Sequence, residues 1–87
     1  MQQTTQLVAI KPDNLANRIQ RLQQEAKSLA AEHFHALLTV LDDVQRISEE
    51  IAKGGEAYPV GVRQIAQRLT DEARDRHQTI TAITTRP

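Results

Sequence analysis

The sequence predicts an all-α protein built as an antiparallel helical hairpin, one long helix folding back on a shorter one. Three observations predict it. From Asp13 to Lys53 there is neither proline nor glycine, and apolar residues return every three or four positions, the period of one helix face. Gly54-Gly55 then breaks the pattern, and a second amphipathic stretch follows Pro59. The two stretches can also be laid antiparallel with apolar positions opposed along their shared length.

Residues 1–11 stand apart from this pattern. They are polar and then β-branched and apolar (Thr4-Thr5-Gln6-Leu7-Val8-Ala9-Ile10), which reads as a flexible or short extended segment. Residues 12–87 form a single helical-hairpin domain in this reading. The long helix, about 13–53, starts at Lys11-Pro12-Asp13-Asn14. Proline suits the first turn because its missing N–H would be unpaired there, and Asp13 opposes the positive helix end.

The seam of that helix is Leu15, Ile19, Leu22, Ala26, Ala30, Phe34, Leu37, Leu41, Val44, Ser48 and Ile51. Steps of three and four alternate as in a coiled coil. Three successive fours around Ala26 and Ala30 locally unwind a left-handed supercoil. Glycine takes the left-handed conformation of a helix C-cap without steric cost, so Gly54-Gly55 ends the helix. The shorter helix, about 59–84, has Pro59 at its start and carries Val62, Ile65, Leu69, Ala73, Ile80 and Ile83.

Facing positions of an antiparallel pair keep a constant register. Setting Ile51 against Val62 puts Ser48 against Ile65, Val44 against Leu69, Leu41 against Ala73, Leu37 against Arg76 and Phe34 against Ile80. The expected hairpin core is therefore Phe34, Leu37, Leu41, Val44, Ile51, Val62, Ile65, Leu69 and Ile80, with His77 filling the level opposite Leu37. In this register the second helix runs out opposite residue 28. The seam nevertheless continues through Leu15, Ile19, Leu22 and Ala26. Burying each large aliphatic side chain is worth on the order of 1.5–3 kcal/mol, so this overhang predicts an interchain seam. A two-fold homodimer with a four-helix-bundle middle, or a coiled-coil-like assembly, is the simplest form of it.

Composition narrows the function classes. The chain has 87 residues, 11 basic and 11 acidic, so no global charge attracts it to nucleic acid or an anionic membrane. No cysteine is present, which excludes disulfides, a thiolate nucleophile and zinc–thiolate sites. Residues 1–10 lack a basic n-region, and no apolar run is long enough to span a bilayer. The expected location is the cytoplasm, with no membrane or nucleic-acid partner and no cofactor.

Few residues suggest chemistry. Glu32-x-x-His35 has the spacing of half a di-iron carboxylate site, but Gln78 to Thr81, at the facing level, offer no second carboxylate. Val62 to Leu69 has the pattern of a first helix in a helix-turn-helix, yet no turn and recognition helix follow. His35 lies midway along a long helix that turns back into a shorter one. The segment His35-Ala36-Leu37-Leu38-Thr39 resembles the dimerisation and phosphoacceptor domain of sensor histidine kinases. Ala36 stands where that family usually has an acidic residue, and the chain has no ATP-binding domain. The resemblance implies His35 as an alternative phosphoacceptor served by an external kinase. A DNA-associated accessory role is a second alternative. The leading expectation is a non-enzymatic interaction and oligomerisation protein that presents a helical surface to an unidentified protein partner.

Overall fold

The computed structural model describes residues 12–86, with side chains from Asn14 onward. The expectations for residues 1–11 and for capping by Asp13 lie outside the described residues. Two long helices make up the fold: α1, Pro12–Ala52, and α2, Val60–Thr84, joined by a turn containing a short 3-10 segment, Gly55–Ala57. The all-α hairpin is as the sequence predicts, with helix ends within a residue of the expected ones.

The turn is built from local hydrogen bonds. Lys53 N–H still donates to Glu49 O at 3.0 Å, and Gly54 N–H tightens the last turn by donating to Ile51 O at 3.1 Å. Only Gly55 takes the left-handed conformation, at φ 77°; Gly54 stays right-handed. A Cβ on Gly54 would strike the Tyr58 ring and lie 3.2 Å from Glu50 O, so the first glycine is needed for space and the second for conformation. Pro59 is the residue just before α2 rather than its first, with an extended ψ of 144°. Its carbonyl accepts from Arg63 N–H, and the Arg63 guanidinium Nε–H returns to Tyr58 O at 3.1 Å.

The chain divides between His33 and Phe34 into two units. In the first, α1 is exposed at every described position from Asn14 to Ala30. The second holds the rest of α1, the turn and α2, and contains the hairpin packing.

That packing departs from the expected register. Ser48 and Thr70 hydroxyls lie 2.7 Å apart, and His77 Nε2 lies 3.1 Å from Asp42 Oδ1. Each residue of α1 thus meets one about five positions further along α2 than expected. The inward row of α2 is Ala66, Thr70 and Ala73, flanked by half-buried Arg63, His77, Ile80 and Thr81. From α1 it meets buried Ser48 and half-buried Phe34, Leu38, Leu41, Val44 and Gln45. Of the residues expected in the core, Phe34, Leu41, Val44, Ile51 and Ile80 are half-buried. Leu37, Val62, Ile65 and Leu69 instead remain 48%, 46%, 65% and 44% exposed. The physical reason is side-chain size. Alanine, serine and threonine let two helix backbones approach closely enough for two short hydroxyl side chains to bond. A row of isoleucine and leucine would hold them apart. The same offset carries Thr84, the end of α2, to the level of Phe34 and His35 on α1.

Candidate functional site

The hairpin leaves many of its larger aliphatic residues outside. On α1, Leu37, Val40, Val44, Ile47 and Ile51 alternate steps of three and four, a coiled-coil stripe. Leu37, Val40 and Ile47 are exposed and the other two half-buried. On α2, Val62, Ile65 and Leu69 continue the same spacing. Where these rows run side by side near the turn they form an open groove of about 370 Å³. Its walls are Val44, Ile47, Ser48 and Ile51 from α1 and Val62, Ile65, Ala66 and Leu69 from α2.

The groove has almost no polar chemistry. Its one side-chain hydroxyl, that of Ser48, lies 2.6 Å from Val44 O, to which it donates, as well as against Thr70. Small-molecule sites of this size normally fix their ligand with a few converging polar groups. Here an occupant would be held by apolar contact and shape. The outer flank of the α1 wall is acidic: Asp43 and Glu50 lie four residues before and three after Ile47, with side chains 58% and 66% exposed. Arg46 lies 3.5 Å from Asp43 and 3.8 Å from Glu50.

The first unit bears a second apolar surface, one helix wide. Leu15, Ile19 and Leu22 are 45%, 56% and 63% exposed, and Ala26 continues their line. Leu29 is 66% exposed beside it. These are the residues the sequence assigns to an interchain seam, and in the single chain they stand open.

The residues singled out for chemistry are arranged without convergence. His35 is exposed, its ring 4.9 Å from that of Phe34 and tilted against it. Glu32 and His33 are exposed as well. No group of three or more histidine, cysteine, aspartate or glutamate side chains is placed to hold a metal ion among the described residues. His77 does not fill a gap opposite Leu37; it reaches Asp42 across the hairpin. Near the end of α1, Lys53 Nζ bonds Glu49 Oε1 at 2.7 Å. That hydrogen bond, with the lysine's charge, lowers the glutamate's pKa below its ordinary value.

Sequence reasoning missed the groove because it placed Ile65 and Leu69 inside. The signal was present. Ala66, Thr70 and Ala73 form a second row on α2, made of residues small enough for close helix contact. Comparison with protein-family models, curated proteins and solved structures found no match. Among the described residues no helix is long and apolar enough to cross a membrane.

Proposed function

We propose that this chain is a non-enzymatic helical interaction module that works by self-association, simplest as a two-fold homodimer, and offers a helical face to a protein partner. The observation that carries this reading is an inversion of the usual placement by size. Among the described residues the buried apolar ones are Ala66 and Ala73, whereas Leu15, Ile19, Leu22, Leu37, Val40, Ile47, Ile65 and Leu69 are all at least 44% exposed. Single exposed aliphatics are ordinary, but regular stripes of them mark interaction surfaces.

Energetics favour the same reading. Small residues in the hairpin seam contribute little apolar burial, and a two-helix unit of this length gains much of its core only by adding helices from outside. Each large aliphatic side chain fully withdrawn from water adds on the order of 1.5–3 kcal/mol. Two stripes of three or more such residues therefore offer a second chain a continuous apolar area to cover.

The test is sedimentation velocity on the full chain from submicromolar to high micromolar concentration. The expected result is a species of twice the chain mass that dissociates on dilution. A monomer throughout that range overturns the proposal.

A further inference from the structure

The open face of α1 in the first unit follows one unbroken heptad. Leu15, Ile19, Leu22, Ala26 and Leu29 succeed each other at alternating steps of four and three, and all five are exposed. That is the spacing of the d and a positions of a two-stranded coiled coil. We infer that this row packs antiparallel on the same row of a second copy, with Ile19 of one chain against Leu22 of the other. The inference rests on the self-association proposed above and names its surface, direction and register.

Charge selects the direction. With Leu15, Leu22 and Leu29 at d and Ile19 and Ala26 at a, the core is flanked by Ala16, Gln23 and Ala30 at e and by Arg18, Glu25 and Glu32 at g. The other two charged side chains of this stretch, Arg21 and Lys27, stand at c and b, away from the core. Parallel helices bring g against e, which here sets Arg18 beside Gln23 and Glu25 beside Ala30, with no ion pair. Antiparallel helices bring g against g. Arg18 and Glu25 of one chain then meet Glu25 and Arg18 of the other, and the two-fold axis makes the pair twice.

Charge also selects the register. A slip of one heptad in one direction sets Arg18 against its own copy. A slip in the other direction lets Arg18 reach Glu32, but it sets Glu25 against its own copy and Leu15 against His33. Exposed ion pairs add little affinity, whereas like charges in contact exclude an arrangement. Size agrees. The antiparallel core sets Leu15 against Ala26 and Ile19 against Leu22, each twice, so that every layer holds a large aliphatic side chain. A parallel pair would set Ala26 on Ala26 and leave a void. The four layers span about 17 Å at 1.5 Å per residue. Every described position from Asn14 to Ala30 is exposed, so a second helix can lie along this face.

The experiment uses the absence of cysteine from the chain, so that introduced thiols report the arrangement without background. Two full-length variants are made, Leu15→Cys and Ala26→Cys, with circular dichroism to check that helix content is kept. In the antiparallel register position 15 of one chain faces position 26 of the other. Two copies of position 15 stand about 16 Å apart along the helices, beyond the span of a disulfide. Mixed in a glutathione redox buffer, the variants should form the mixed disulfide at least ~10-fold in excess of either symmetric one, read by mass spectrometry. A second pair of variants tests the charges. Arg18→Glu should weaken the dimer by about 10-fold, since both flanking pairs become repulsive, and adding Glu25→Arg should restore it.

Other results overturn the inference. A Leu15→Cys chain that cross-links to itself as readily as to Ala26→Cys means parallel helices. Absence of every cross-link, in a natural chain that sediments as a dimer, means that another surface joins the copies. Weakening by Arg18→Glu that Glu25→Arg does not reverse means another register. In all three cases the natural chain is still a dimer and the proposed function stands. A natural chain that is monomeric removes both.

Discussion

Thr70 is the most deeply buried residue of the hairpin, at 1% exposure, and it is polar. Its Oγ1 lies 2.8 Å from Ala66 O and 2.7 Å from Ser48 Oγ, and Ser48 Oγ lies 2.6 Å from Val44 O. Two hydroxyl protons serve these three contacts. One hydroxyl donates to its own helix's carbonyl and accepts from the other, which is how two short polar side chains sit between helices without an unmet bond. Removing one hydroxyl leaves the other with a backbone acceptor, so the penalty is that of one hydrogen bond, about 0.5–1.5 kcal/mol. Thr70→Val and Ser48→Ala should each cost about that much in urea unfolding followed by circular dichroism at fixed chain concentration. The double variant should cost no more than the worse single one, since replacing both partners by apolar groups is close to neutral. Additive costs would mean that the hydroxyls act separately.

Glu49 makes a different kind of prediction at the same scale. Lys53 holds its carboxyl below the ordinary value of 4.5, first through their hydrogen bond and then through charge, with a small further lowering from Arg74. A carboxylate that is easier to ionise when folded contributes stability above that ordinary value. The contribution is lost as pH falls through the lower, folded value. Lys53→Met should therefore raise the Glu49 pKa toward 4.5, read by NMR titration of its side-chain carboxyl. Its titration should not move if the shift has another source.

The two helices and the turn were legible because each follows from local chemistry. An unbroken helical period defines α1, a glycine pair ends it, and proline precedes α2 at Pro59. Register was not legible, and α2 shows why. It has two candidate inward rows, Val62–Ile65–Leu69 and Ala66–Thr70–Ala73. Hydrophobicity favours the first, whereas close approach of two helices favours the second. A single sequence does not say how many helices will finally surround α2, and that number decides which row faces inward within one chain. For the same reason the open row at Leu15, Ile19 and Leu22 could be read from the sequence, while the groove at Ile47, Ile65 and Leu69 could not.

The turn depends on the conformation of one residue. Gly55 has φ 77° and nothing within 4 Å of where a Cβ would stand. Gly55→Ala therefore meets no neighbour and feels the backbone conformation alone. The expected loss is about 1–2 kcal/mol, seen as a lower urea midpoint with unchanged slope. An unchanged midpoint would mean that the turn can take another conformation at no cost.

For the whole molecule, stability should not be a property of one chain. A monomeric hairpin unfolds at a temperature independent of its concentration. If association buries the open row of α1, binding energy adds to folding energy, and the melting temperature must rise with chain concentration by mass action. The gain should also be uneven along the chain. Residues 14–30 of α1 are wholly exposed in the single chain, so their helical hydrogen bonds open readily there. Amides around Ser48 and Thr70 sit in the hairpin seam and should exchange slowly at any concentration. Hydrogen exchange well above and well below the dissociation constant should therefore differ most in residues 14–30. Protection that rose evenly over the whole chain would point to general tightening of the fold. Protection confined to the groove would point to a partner surface other than the N-terminal helix.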